Sequence, residues 1–286
     1  MSEAMIRRGL GCASLLLAMP LLAQAQNTLP SPVGIAHIAL RVTDVEREVG
    51  FLGKLGFIQA FANTENGRTT QAFVKVNDRQ FIEVYPQSAA GETPGPLGLM
   101  HVCYEAADLK ALNDQYVKAG LKPTSWRQAG AGNLLFNLQD PDGRVTEFTQ
   151  YMPGSRQMND MGQHLGGSRI ADELMGFEMP VKDIKVAQKF YEGMGFNTQK
   201  EGVGLLLDLP ANPNVQIVLQ PAHAGERPQF YLAVDDARRA GEMLADAGLQ
   251  AVRNKKQVFV RDPEGNQFVL IETGKSSSRH LIPWKK

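Results

Sequence analysis

The strongest constraint on this chain is that it repeats one pattern four times. Runs beginning at Gly34, Leu99, Met175 and Phe230 each alternate as a strand should and lead, through Asp44, Asp108, Asp183 or Asp236, into a helix-like segment. Those segments close at Gly56, Gly120, Gly195 and Gly248, where a glycine just past a helix is expected. Asp140-Pro-Asp-Gly143 and Asp262-Pro-Glu-Gly265 make the same turn before the last strand of the second and fourth copies. Repetition of this kind outranks any local signal in choosing a fold. It predicts an α+β chain of four βαβββ modules in two pairs, as curved mixed sheets with helices outside.

In the first module the spacing predicts a strand over 33–42, a helix over 44–55 and strands near 57–62, 70–76 and 80–85. Gln87 to Leu97, rich in Gly and Pro, reads as a linker. The second module predicts a strand over 98–106, a helix over 108–119 and strands near 121–126, 133–138 and 144–151. The first pair of modules thus occupies residues 31–152 and the second 175–274. Residues 153–174 break the rhythm and read as an inter-domain connection with one short helix, in which His164 is a solvated loop residue. Residues 275–286 are a polar tail.

The first residues do not belong to this pattern. Arg7 and Arg8 precede an apolar run from Leu10 to Leu22, and Ala23-Gln24-Ala25 has the form of a cleavage site. Residues 1–25 therefore read as a secretory signal peptide, predicting a periplasmic or secreted protein with no integral membrane span after cleavage. Removal of Cys12 with that peptide leaves Cys103 as a single buried cysteine, so the fold rests on its core alone. Hydrophobic residues make up 43% of the chain, enough for a sizeable core, and formal charge is zero, which argues against a nucleic-acid partner.

Two copies of the repeat carry chemistry. His37 and His101 lie on the first strands of the first two modules, and Glu83 and Glu147 lie on the last strands. If the two modules pack as pseudo-symmetric halves, the four side chains converge. Two carboxylates buried together are costly unless a cation neutralises them. Two imidazoles and two carboxylates suit one divalent ion such as Fe, Ni, Co, Mn or Zn. The second half is an internal control: its matching positions are Gly176, Val218, Gln229 and Val269, none a good ligand. The scaffold therefore does not require His or Glu there. Four residues beyond each candidate ligand stand Arg41, Gln87, Glu105 and Tyr151, expected one layer further along the cavity. They are candidate substrate contacts, with an internal Arg41–Glu105 ion pair as the structural alternative.

These residues resemble the vicinal oxygen chelate superfamily, also called the glyoxalase, bleomycin-resistance and extradiol-dioxygenase fold. The resemblance covers nearly all of the mature chain as two tandem domains, a metal-binding one and a degenerate, non-metal one. Its most specific part is a glyoxalase I ligand pattern: His-Ile-Ala-Leu-Arg-Val-Thr-Asp from His37, Phe-Ile-Glu-Val around Glu83, His101 after Leu-Met, and Asp-Pro-Asp-Gly-Arg-Val-Thr-Glu ending at Glu147. The resemblance implies a small-molecule substrate bound to the metal through adjacent oxygens and a lyase or isomerase reaction through an enediolate. It implies that Glu83 or Glu147 leaves the metal to shuttle the proton. It also matches Arg41 to the family arginine that contacts the glutathione end of the substrate, and Gln87 to a family asparagine. An extradiol ring-cleavage dioxygenase is the main rival, for which His37, His101 and Glu147 would suffice. Against it, Asn137 stands where those enzymes carry Tyr, no histidine lies between His101 and Glu147, and the metal set sits in the first domain, not the second. A non-catalytic binding protein of the bleomycin-resistance type is the third reading, disfavoured by the complete ligand set.

Overall fold

The computed structural model describes residues 30–88 and 93–273. The signal peptide read in residues 1–25 and the polar tail 275–286 lie outside the described residues. The first module comprises β1 (Pro32–Val42), α1 (Val45–Lys54), β2 (Ile58–Glu65), β3 (Arg68–Asn77) and β4 (Gln80–Pro86). The second comprises β5 (Gly98–Ala106), α2 (Leu109–Lys118), β6 (Arg127–Gln128), β7 (Leu134–Gln139) and β8 (Val145–Gln150). After the short helix α3 (Arg156–Asn159), the third module runs through β9 (Glu173–Val181), α4 (Ile184–Gly193), β10 (Asn197–Glu201), β11 (Gly204–Leu209) and β12 (Asn212–Pro221). The fourth runs through β13 (Gln229–Val234), α5 (Ala237–Asp246), β14 (Ala251–Asn254), β15 (Gln257–Arg261) and β16 (Gln267–Glu272).

Each pair of modules forms one eight-stranded mixed sheet, in the orders β2-β3-β4-β1-β5-β8-β7-β6 and β10-β11-β12-β9-β13-β16-β15-β14. Within a module the first and last strands pair in parallel, while β1 meets β5, and β9 meets β13, antiparallel. The antiparallel seam relates the modules of each sheet by an approximate two-fold.

The repeat is enforced at the helix ends. Asp44, Asp108, Asp183 and Asp236 all have extended backbone and accept from the N–H three residues on, at 2.9–3.1 Å. Each cap satisfies a donor that a helix start leaves open. Gly56, Gly120, Gly195 and Gly248 all have positive φ, between 72° and 90°. In both Asp-Pro-x-Gly turns the leading aspartate accepts two backbone N–H groups, and the glycine again has positive φ.

One expected strand is missing. Residues 121–126 carry no regular structure, and the edge is only the two-residue β6. Pro123 has no N–H to give a ladder, and Thr124 is held instead by two hydrogen bonds with Asn137 and one from Asn113.

Ile38, Leu40 and Val42 on β1 enter an apolar core that runs continuously through both sheets and their helices, whereas His37, Ala39 and Arg41 alternate to the other face. The segment after β8 crosses that other face. Buried Lys75 of β3 holds it, donating to Asp160 Oδ2 and Gln163 O, both at 2.8 Å, and pairing with Asp78 at 2.8 Å. His164, expected to be a solvated loop residue, is exposed in the turn after α3, with Nδ1 2.5 Å from Asp160 Oδ1. Among the described residues, no helix is long and apolar enough to cross a membrane.

Candidate metal centre

The four central strands of the first sheet, in order β4-β1-β5-β8, carry one candidate ligand each. Register explains why they meet. Ala39 lies opposite His101 and also opposite Glu83, while Cys103 lies opposite His37 and also opposite Glu147. A bulge between Ile35 and His37 shifts the start of β1 against β5, a common device for re-aiming a side chain beside a site.

The four side chains close around His37. Its Nδ1 is 3.5 Å from Glu83 Oε1, and its Nε2 is 3.5 Å from Glu147 Oε1 and 3.1 Å from His101 Nε2. Two ligands each about 2.1 Å from one ion, at tetrahedral or octahedral angles, stand about 3.0–3.4 Å apart. The His37 Nε2 separations from His101 and Glu147 are close to that spacing, whereas Glu83 Oε1 approaches the other ring nitrogen, Nδ1. Among the described residues, the groups able to hold a metal are His37 with Glu83 and His101, and His37 with Cys103 and Glu147, all in this sheet.

Electrostatics points the same way. Burial lowers His37 and His101 to about 3, so both imidazoles are neutral and have lone pairs to offer. Burial pushes Glu147 up to about 8, with the charge of Glu83 adding to the rise, and Glu83 is raised by burial as well. Burial that raises both carboxylates and lowers both imidazoles leaves the cluster short of positive charge. A divalent ion corrects that deficit, so the donor set fits one.

The two carboxylates differ in their company. Glu83 Oε2 accepts from Tyr85 Oη and from Gln71 Nε2, each at 2.8 Å. Glu147 has the Cys103 thiol beside it as a donor, and burial keeps that thiol protonated. Cys103 is fully buried, as a small strand residue should be, yet it also backs the site. Gln71, Tyr85 and Cys103 were not singled out from sequence as site residues. Their signal was the period of two: Tyr85 follows Glu83, and Cys103 follows His101, by one strand repeat.

The four residues expected one layer further along do not form one layer. Because β1 and β5 are antiparallel, four residues beyond His37 and four beyond His101 lead in opposite directions. Arg41 pairs with Tyr85 and Gly98 at one end, where Gln87 Nε2 donates to Gly95 O. A Cβ on Gly95 would fall inside the Arg41 guanidinium, so the loop backbone lies against that arginine. Glu105 and Tyr151 stand at the other end. The anticipated Arg41–Glu105 pair is therefore absent: Glu105 pairs with Arg79, whose guanidinium lies 4.7 Å over the Tyr151 ring and reaches Met158 Sδ at 3.4 Å. Tyr151 Oη donates to Arg79 O at 3.0 Å. That end is satisfied within the protein, while Arg41 has no carboxylate partner among the described residues.

The second sheet keeps the frame without the donors. Gly176 and Gln229 stand seven residues before Asp183 and Asp236, as His37 and His101 stand before Asp44 and Asp108. Val218 and Val269 occupy the registers of Glu83 and Glu147. A Cβ on Gly176 would lie 1.8 Å from Gln216 O, so the backbone itself denies a histidine there. Val218, Tyr231 and Val269 pack with Leu206 and Ile271, and Tyr231 and Gln229 both donate to Glu178.

Residues 34–148 match the family described as Glyoxalase/Bleomycin resistance protein/Dioxygenase superfamily. No curated protein matches the chain. Among solved structures, the fold resembles the 2,3-dioxygenase LapB from Pseudomonas sp. KL28, at 16% identity over 90% of this chain and 97% of that one, with a TM-score of 0.64. It also resembles the Mn(II)-bound glyoxalase from Novosphingobium aromaticivorans, at 14% identity over 85% and 82% of the two chains, TM-score 0.63. An extradiol ring-cleaving dioxygenase from B. fuscum matches at 14% identity over 85% and 72%, TM-score 0.63.

Proposed function

We propose, from the match of residues 34–148 to the glyoxalase/bleomycin resistance protein/dioxygenase superfamily, that this chain is an exported, metal-dependent enzyme of the glyoxalase type. The observation that carries the proposal is the closure of Glu83, His101 and Glu147 around His37 at 3.1–3.5 Å. A divalent ion held by these four residues supplies Lewis-acid polarisation of adjacent substrate oxygens. The protein's own groups do the rest.

Glu147 is the proton carrier in this reading. Glu83 is tied through Oε2 to Tyr85 and Gln71, whereas Glu147 has only a thiol to leave. A freed Glu147 carboxylate takes a proton from the carbon next to a carbonyl and returns it to the neighbouring carbon. Arg41 orients the substrate by an anionic group at the open end, and Gln87 stands near it with an amide. The Arg79–Glu105–Tyr151 set at the opposite end is a wall and not a binding surface.

Ring cleavage is disfavoured by the residue facing Glu147. Asn137 pairs with Glu147 across β7 and β8, so an amide and not a phenol lies beside that carboxylate. Its Oδ1 is buried with no hydrogen-bond partner among the described residues, leaving an acceptor for a substrate hydroxyl. The test is isomerisation of hemithioacetals set against oxygen uptake with catechols, on metal-reconstituted protein. Turnover of the first class supports the proposal; oxygen consumption with the second, and no isomerisation, rejects it. Cell fractionation checks export, with the mature chain expected outside the cytoplasm.

A further inference from the structure

Glu83 ends a hydrogen-bonded chain that begins outside the first sheet. Arg156 opens α3 in the segment between the domains, and its Nη1 donates to Asn63 Oδ1 at 2.5 Å. Asn63 Nδ2 donates to Gln71 Oε1 at 2.9 Å, and Gln71 Nε2 donates to Glu83 Oε2 at 2.8 Å. Gln71 Nε2 also lies 2.5 Å from Tyr85 Oη, whose proton goes to the same carboxylate oxygen. The chain crosses the sheet at right angles to its strands. Asn63 on β2 pairs with Gln71 on β3, and Gln71 is one strand repeat from Phe73, which pairs with Glu83 on β4.

The direction of this chain is forced at both ends. A guanidinium only donates and a carboxylate only accepts, so each amide between them has one orientation that satisfies its neighbours. Arg156 is itself fixed. Its guanidinium lies 4.3 Å over Phe61 and 5.8 Å from Phe73, Nη2 donates to Ala62 O at 3.0 Å, and its backbone N–H donates to Ala131 O at 2.9 Å. Side chains that orient a ligand in this way are as much part of a metal centre as the ligand is.

We infer that Arg156, Asn63 and Gln71 form a polarised relay through which the inter-domain segment fixes Glu83, committing Oε2 to the protein and leaving Oε1 for the metal. The three are positioning residues. This rests on the metal-centre reading above and adds that the site is completed from outside the matched domain, by residue 156. It also gives the segment between the domains a function in setting metal affinity.

Asn63→Asp discriminates sharply. An aspartate strengthens the contact to Arg156 but has no N–H for Gln71, so the Gln71 amide turns over and presents its oxygen to Glu83. A new negative charge near the site would by itself attract a cation. The relay predicts the reverse: cobalt(II) affinity falls about 10- to 100-fold, the range for lost outer-shell partners, while thermal unfolding of the metal-free protein is unchanged. Arg156→Met keeps an apolar contact on Phe61 without donors and is expected to weaken cobalt(II) binding several-fold, whereas Thr69→Val on β3 is expected to leave it unchanged. In a crystal of the cobalt-loaded wild type, Gln71 Nε2 remains within hydrogen-bond distance of Glu83 Oε2.

Wild type that binds cobalt(II), with Asn63→Asp equal or tighter, overturns the relay and leaves the metal centre standing. So does a cobalt-loaded crystal in which Gln71 has left Glu83. Wild type that binds no cobalt(II) removes both.

Discussion

Glu83 and Glu147 are the same residue in different company, and that difference organises the site. One oxygen of Glu83 is committed to a phenol and an amide, while Glu147 leans on a thiol. Glu147→Gln is therefore expected to lower kcat by about 10²- to 10⁴-fold, the usual worth of a placed proton carrier, with a much smaller change in KM. Steady-state kinetics on the metal-loaded variant checks this, and a loss confined to KM contradicts it. Arg41→Gln should do the opposite, raising KM for anionic substrates and leaving kcat close to wild type. The four proposed ligands were legible in the sequence because the repeat places them at matching offsets from Asp44 and Asp108. Tyr85, Gln71 and Cys103 were not, because strand alternation says which face a residue takes and not which neighbour it reaches. The supposed Arg41–Glu105 pair failed for a related reason. Offsets within a strand carry no sign until the strands are known to run antiparallel.

At the scale of the element, the four helices are fixed by the same two residues, and the structure separates what each contributes. An Asp cap replaced by alanine costs about 1 kcal/mol, so Asp44→Ala and Asp183→Ala should each lower stability by about that amount in urea titrations. The helix-ending glycines differ more. Gly56 and Gly120 share a φ of 82°, yet a Cβ on Gly56 would lie 2.4 Å from Ser168 O, while one on Gly120 meets nothing within 4 Å. Gly120→Ala pays only for the left-handed backbone, about 1 kcal/mol. Gly56→Ala adds a clash with the segment between the domains and should be clearly the more destabilising in the same titrations; equal losses would contradict the packing. The caps and glycines could be read from sequence because they act locally. The absence of a strand over 121–126 could have been read from Pro123, and the contact of Gly56 with Ser168 could not, since it joins residues far apart in the chain.

Across the whole molecule, the two sheets share one apolar core and a set of directed contacts. Tyr116 Oη donates to Met194 O at 3.0 Å, Arg144 Nη2 to Pro180 O at 2.5 Å, and Thr43 N–H to Glu264 Oε1 at 2.9 Å. Glu48 on α1 sits in this interface with no exposed surface, facing Asp262, Glu264 and Arg47. Its carboxyl lies against that of Asp262, close enough to share a hydrogen bond. Burial first, and then Asp262, push Glu48 up to about 9, and burial raises Asp262 too. On Glu48 the folded protein therefore holds a proton that the unfolded chain releases near pH 4.5, so this part of its stability is full below that pH and is lost as pH rises towards 9. Thermal unfolding of wild type should fall in temperature over that window, and Glu48→Gln should flatten the profile. A profile in Glu48→Gln as steep as in wild type would contradict the assignment.

The division of labour between the sheets is the widest claim here. The first sheet carries His37, Glu83, His101 and Glu147, and the second keeps the frame with Gly176 pressed against Gln216 O. Metal analysis of the protein, after native purification and reconstitution, tests it most directly. The account predicts a single divalent ion per chain in wild type, lost in a folded His37→Ala and Glu147→Ala double variant. Wild type without stoichiometric metal, or a double variant that retains it, would contradict the account.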